Sequence, residues 1–417
     1  MTRYTKLDTA KQSTIEPQHQ WPYAEVAAPA PRPWPARRVP LLVTVVGAGR
    51  CMDLDEFLAI TATTALVIVV DGVLVHEQYA GGAGPADRLM GYSATKSALA
   101  LLAGRARDEG SLPDVDTTVT SLVPELGATG YARVTLRQLL TMTTGVGWRE
   151  DYHDPASPAS VLLSRWRSGA GGMRDELLRV PPGDLPGSRF AYCTPDSLVL
   201  DWARERATAE SFPGALARLW AAVEAERPAV VGLDQPAGRG GVAMAGGALA
   251  ATARDWARIG ALQIDGRWAG RQVVSRSWVE ASSRPERDFL APGRLPSTIT
   301  SHAGFGYHWW PLDAAGERVT ADGMRGQFVY VDRGQRVVVV KTSAWPYEDA
   351  WWDRQCRDLC YLALPAIADA AATAAQAAER ERDLPAFPDR RPPLGKGGWP
   401  FGRVLRGEHR GIPGQPA

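Results

Sequence analysis

Two runs of strand-forming residues lie far apart in this chain, and the stretch between them is patterned mostly as helix. Near the start, Thr64 to Val70 is β-branched and apolar, Asp71-Gly72 follows, and Val73 to Tyr79 alternates more openly. Asp-Gly between two such runs is a hairpin signal, because a tight primed turn needs positive φ at both central residues. Near the end, Gln327 to Val331 and Arg336 to Thr342 flank Asp332-Arg333-Gly334-Gln335, a second hairpin. Between the two, Thr135 to Met142, Val161 to Trp166, Asp196 to Arg206 and Thr252 to Leu262 read as helices, and Pro113 to Leu126 as a short helical unit. Glu348 to Leu364 and the Ala-rich residues 365–383 read as helical too. This order predicts an α/β chain of the α+β kind. One antiparallel sheet flanked by helices is built from both ends, with an all-helical lobe inserted. The expected divisions are an extended lead-in over 1–40, a sheet domain from 41–107 and 246–383, a helical lobe over 108–245, and a poorly ordered tail over 384–417. A cleft between the lobes is where a small molecule would bind.

Composition narrows the function classes. A net charge of +1 gives no electrostatic reason to bind nucleic acid or a membrane surface. The four cysteines are scattered, and Cys356 and Cys360, one helical turn apart, have no second ligand pair. Neither a metal site nor a disulfide framework is expected, and no cofactor motif is present. No apolar run approaches membrane-spanning length, and Met1 to Gln20 lacks the apolar core of a signal peptide, so a cytoplasmic location is the expectation.

Chemistry concentrates at Gly91-Tyr92-Ser93-Ala94-Thr95-Lys96. Lysine occurs at only five positions, so a lysine entering the apolar run Ala98 to Ala103 stands out. Residues three apart share a helix face, so Lys96 can reach the Ser93 hydroxyl. Burial there would lower its pKa towards that of a usable base. The bland alternative is a serine N-cap followed by a solvated lysine. A second element is Phe190-Ala191-Tyr192-Cys193-Thr194, where Tyr192 beside a cationic lysine would lose its proton more easily and serve as base, then acid. A third is Ala321-Asp322-Gly323-Met324-Arg325-Gly326-Gln327, whose glycine-containing strand lets a carbonyl substrate approach the backbone. The N–H groups of that strand and of Ser93 would form an oxyanion hole. The acidic pairs Asp108-Glu109 and Glu150-Asp151 project to different sides and read as solvated surface rather than paired catalytic carboxylates. Ser93 has no Gly-x-Ser-x-Gly surroundings, and no histidine has a triad context.

Taken together, the order and contexts of the three elements resemble the serine β-lactamase and penicillin-binding-protein-like superfamily, in its class C and esterase branch. Thr135 to Gly145 and Ala253 to Gly260 are similar to that branch's linker and later helix. Glu150-Asp151-Tyr152-His153-Asp154-Pro155-Ala156-Ser157, Tyr192-Cys193 and Gly326-Gln327 with Lys341 to Pro346 resemble the nylon-oligomer (6-aminohexanoate-dimer) hydrolase subgroup. The resemblance implies that Ser93 is the acylated nucleophile, that Lys96 and Tyr192 share the proton work, and that the backbone N–H groups of Ser93 and Met324 hold the oxyanion. It also implies that Tyr152, on a loop over the substrate, donates a hydrogen bond to its amide or leaving nitrogen. Gly323, Arg325 and Ala245 are the remaining substrate-side positions. Arg325 would either grip a substrate carboxylate or solvate its turn.

Several residues depart from the pattern. Thr194 stands where penicillin-recognising enzymes carry Asn, and Gly323-Met324-Arg325 replaces a Lys-Thr-Gly-type string. Leu163 and Ala245 fall where the nylon-oligomer hydrolases place polar anchors. A serine hydrolase acting on a small ester or amide is therefore the expectation, with neither β-lactam nor nylon dimer favoured. An acyltransferase passing the acyl group to an amine, with Trp148, Trp166, Trp309, Trp310 and Trp345 excluding water, is the first alternative. A non-catalytic binding protein is the second. Oligomeric state, including a homodimer, is left open.

Overall fold

A computed structural model describes residues 14–47, 49–297, 299–346 and 352–383. Its centre is a six-stranded antiparallel sheet. The strand order is Trp310–Pro311, Arg318–Gly323, Gln327–Asp332, Val337–Ser343, Thr63–Val70 and Val73–Tyr79. The two ends meet where Val337–Ser343 pairs with Thr63–Val70, with Leu66 opposite Lys341 and Val67 opposite Val340. The Asp71-Gly72 turn has φ of 44° and 77°, the positive pair that a tight hairpin turn demands.

Both faces of the sheet are covered, which explains why the central stretches 65–70, 328–331 and 337–340 are apolar on both sides. Val67, Val69, Val329, Val331, Val338 and Val340 enter one core, while Leu66, Ile68, Phe328, Tyr330, Val337 and Val339 enter the other. Successive side chains point to opposite faces, so one strand feeds both. The helix Arg357–Asp383 covers the second face with Leu364, Ile367, Ala368 and Ala371. Across the stretch Arg354–Arg380 this helix is apolar and long enough to cross a membrane, although the sequence offered no such run. Its alanines give that length and composition, and 56% of the apolar window is buried inside the protein.

The first face packs on Ala94–Asp108 and Ala253–Asp265. Its core runs on without a break into the helices Leu136–Thr141, Pro158–Ser168, Thr194–Thr208 and Phe212–Ala222. Thr135 and Gln138 close a capping box at the start of Leu136–Thr141. The stretch Pro113 to Leu126 forms 3₁₀ turns, Val119–Ser121 and Pro124–Ala128, rather than an α-helix. Proline within so short a segment leaves room only for tight turns.

A second, four-stranded sheet lies beyond the one sheet that the sequence predicts. It joins Tyr23–Val26, Ala229–Gly232, Leu249–Ala251 and Leu89–Met90 in that order. It draws on the Pro-rich lead-in and holds the segment just before Ser93. The expected tail over 384–417 lies outside the described residues.

Candidate active site

Leu89–Met90 delivers the chain to a sharp turn. Gly91 donates its N–H to the Leu249 carbonyl at 2.9 Å, and Tyr92 takes a φ of 45°, a costly conformation for a residue with a Cβ. Ser93 then opens the helix Ala94–Asp108, and its side chain makes no capping bond to that helix. The ordinary reason for a serine at a helix start is therefore absent. Its hydroxyl instead meets Lys96 Nζ at 3.2 Å and the Tyr192 phenol.

Lys96 is 2% exposed. Its ammonium donates to Ser93 Oγ at 3.2 Å, to Thr194 Oγ1 at 3.2 Å and to the Gly246 carbonyl at 2.5 Å. Burial lowers its pKa to about 8, against the opposing pull of Glu150, Cys193 and Asp196. Behind it, His308 points Nδ1 at the Lys96 carbonyl (3.2 Å) and Nε2 at that of Leu139 (3.3 Å). Burial, helped by Lys96, lowers the imidazole pKa to about 3, so His308 is a neutral packing group and no base.

Tyr192 is partly exposed, stacks on Trp310 at 5.8 Å and meets Phe305 edge-on. Lys96 Nζ lies 5.2 Å from its ring centroid. The Tyr192 environment works against the expected acidification of this phenol. Burial raises its pKa, and its hydrogen bond to Ser93 opposes that only in part. Burial thus moves the two groups in opposite directions, Lys96 down towards neutrality and Tyr192 up.

Glu150 is not the solvated surface acid that the sequence predicts. It is instead the hub of the loop that carries Tyr152. One carboxylate oxygen accepts from the hydroxyls of Thr194 and Tyr152, and the other from Thr194 N–H at 3.0 Å and Trp148 Nε1 at 2.5 Å. The bond to Thr194 N–H supplies the helix Thr194–Thr208 with the cap that its N-cap residue Cys193 does not. The Tyr152 proton is directed at Glu150, so this phenol offers a substrate a lone pair rather than the donor expected of it. The signal in the sequence was the pair of flanking donors, Trp148 and Tyr152. Nearby, Asp196 accepts from Tyr131 at 2.9 Å and Thr144 at 3.0 Å, and burial raises its pKa to about 7.

The late strand Arg318–Gly323 ends against the serine turn. A Cβ placed on Gly323 would lie 2.1 Å from the Gly91 carbonyl oxygen and 3.2 Å from Ala94 N. Only glycine permits that approach, which brings the partly exposed Met324 beside the helix start. Asp322 anchors the strand end through Arg357 and the Tyr361 hydroxyl. Gly323→Ala is expected to lower kcat/KM at least about tenfold by pushing the strand away, as small misplacements at a reacting centre do. Gly127→Ala, with nothing within 4 Å of its added Cβ, should leave the rate unchanged. Rates for both variants check this.

The remaining candidates are less central. Arg325 is 5% exposed, has φ of 64° and donates Nε–H to the Trp345 carbonyl at 2.8 Å, so it does not solvate its turn. Ala245 is fully buried beside Gly246, and Leu163 packs half-buried on the first core. Of the five tryptophans named above, Trp310 and Trp148 adjoin these groups. Trp166 packs on Trp21, and Trp309 is fully buried in the first core.

Residues 55–351 match the Beta-lactamase family. The chain is 31% identical over 347 residues to 6-aminohexanoate-dimer hydrolase of Paenarthrobacter ureafaciens, covering 80% of this chain and 87% of that protein. Among solved structures it is similar to a putative 6-aminohexanoate-dimer hydrolase from Bacillus anthracis, with a TM-score of 0.70 and 23% identity over 87% of this chain and 92% of the other. It is also similar to a putative beta-lactamase from Bacteroides dorei, with a TM-score of 0.60 and 17% identity over 78% of this chain and 97% of the other.

Proposed function

The chain belongs to the Beta-lactamase family and is a hydrolase of that type; on this premise we propose that it opens a small ester or amide bond through an acyl-enzyme on Ser93. The observation that carries the reading is the buried Lys96 amine, 3.2 Å from a serine oxygen that caps nothing. Neutral Lys96 takes the Ser93 proton as Oγ bonds to the carbonyl carbon. The oxyanion sits between the N–H groups of Ser93 and Met324. The proton passes from Lys96 to the leaving atom by way of the Tyr192 hydroxyl, and the carbon–heteroatom bond breaks. Water then repeats the sequence on the acyl-enzyme.

The Tyr152 lone pair suits a leaving group that carries N–H, which puts linear amides ahead of esters in a substrate screen. The similarity to a 6-aminohexanoate-dimer hydrolase supports the same order of testing. Hydrolysis is preferred to acyl transfer because the tryptophans that would dry the site are partly spent on the core.

Lys96 must be neutral to act as base, so kcat/KM should rise with pH through an apparent pKa near 8. A pH–rate profile on an activated ester, with intact-mass detection of the acyl adduct, tests the reading. A flat profile from about pH 6 to 9, or an adduct that survives Ser93→Ala, would overturn it. Product analysis in excess amine separates hydrolysis from transfer.

A further inference from the structure

Each hydrogen around Lys96 can be assigned. Nζ has four tetrahedral positions, one of them its bond to the side chain. One of the other three faces the Gly246 carbonyl, which only accepts. A second faces Thr194 Oγ1, and a third faces Ser93 Oγ. A threonine hydroxyl has a single hydrogen. Here that hydrogen is given to Glu150, so Thr194 can only accept from Lys96. The Tyr152 hydroxyl likewise donates to Glu150. When Lys96 becomes a neutral amine, two of its positions must therefore keep N–H bonds. The lone pair is left pointing at Ser93.

We propose that Glu150 is a positioning residue that, through the Thr194 hydroxyl, aims the Lys96 lone pair at Ser93. This inference rests on Ser93 and Lys96 being nucleophile and base. A carboxylate suits the task because it only accepts, whereas an amide in its place can turn a donor towards Thr194. Thr194 would then be free to give its own hydrogen to the Lys96 lone pair, and the base would be occupied.

The groups facing Lys96 are Glu150 from the Trp148–Tyr152 loop, Cys193 and Asp196 at the start of the helix Thr194–Thr208, the Tyr192 ring, and neutral His308 behind it. Glu150 is the largest of the influences that favour protonated Lys96, so its charge opposes formation of the free base. Positioning and charge therefore make opposite predictions for Glu150→Gln. Loss of charge alone eases deprotonation of Lys96 and moves the rising limb of the pH profile below about 8. Loss of positioning lowers the rate even where Lys96 is fully neutral.

The test measures kcat/KM across pH for Glu150→Gln, Thr194→Val, Thr194→Ser and the Glu150→Gln/Thr194→Val double variant, with thermal melts to check folding. Glu150→Gln should lose roughly 10- to 100-fold in the high-pH plateau, a share of what a general base contributes. Its rising limb should move to lower pH. Thr194→Ser keeps the hydroxyl and should stay near wild type. Thr194→Val should lose rate, and adding Glu150→Gln to it should cost nothing further, because no hydroxyl remains to orient. A Glu150→Gln plateau within about twofold of wild type, or additive losses in the double variant, overturns the proposal. If Ser93→Ala retains activity, the nucleophile assignment falls and this inference with it. If activity depends on Ser93 but the Glu150→Gln plateau is unchanged, this inference alone fails.

Discussion

Ser93→Ala is expected to lower kcat by about four orders of magnitude or more, the scale seen when a nucleophile is deleted from a serine hydrolase. The melting temperature should hardly move. Ser93 makes no capping bond, so the helix Ala94–Asp108 loses no backbone partner with it. The Tyr92 turn is fixed from outside, by the Gly91-to-Leu249 bond and by the close contact of Gly323. Activity and stability thus separate cleanly at this residue. Turnover of an activated ester, read beside a thermal melt and the intact mass, measures both. Retained turnover in the folded variant would remove Ser93 from the chemistry. A collapsed melting temperature would mean that its hydroxyl is structural after all.

Lys96→Met carries the second large effect, and its signature lies in pH. Without the base, kcat/KM should fall by about 10² to 10⁴ and the rising limb near pH 8 should vanish. Stability follows a different course. Folded Lys96 has its pKa lowered from 10.5 to about 8. Between those values the unfolded chain holds a proton that the folded one has released, so wild-type stability rises with pH across this window. Below pH 8 both states are charged, and the buried charge costs the fold about 3 kcal/mol. Methionine has no such titration. The difference in unfolding free energy between wild type and Lys96→Met should therefore shift towards wild type by about 3 kcal/mol as pH rises from 7 to 10.5. Taking the difference cancels most groups common to both chains. It also holds whatever the loss of the bonds to Thr194 and Gly246 costs, because that loss is present throughout. Urea melts of both proteins at several pH values measure it. A pH-independent difference would show that Lys96 titrates normally.

Much of the fold could be read from the chain, for identifiable reasons. The Asp71-Gly72 hairpin has a turn chemistry that few other structures accept, and the valine-rich strands need cover on both faces. Ser93 and Lys96 stand out in the chain because lysine is rare and this one enters an apolar helix, and the structure sets Lys96 Nζ 3.2 Å from Ser93 Oγ and 5.2 Å from the Tyr192 ring. The second sheet could not be found. Leu89–Met90 pairs with Leu249–Ala251 over two residues, too few to show a period, and more than 150 positions separate them. Two electrostatic expectations also needed coordinates. The Tyr192 phenol is governed by its own burial rather than by the lysine cation. Glu150 lies next to Asp151 in sequence, but local turning sends it inward while Asp151 caps His153 and Asp154 from outside. A pair of acids in a string says nothing about which of them turns inward.

The pairing of Thr63–Val70 with Val337–Ser343 has a consequence for synthesis. The serine and its lysine leave the ribosome early, but the strand that lies against them and the strand that closes the sheet are made some 230 to 250 residues later. Until then Thr63–Val70 has an open edge of unpaired backbone groups, the kind of surface on which nascent chains associate wrongly. A chain stopped short of Val337 would carry Ser93 and Lys96 without the strand that closes the sheet around them.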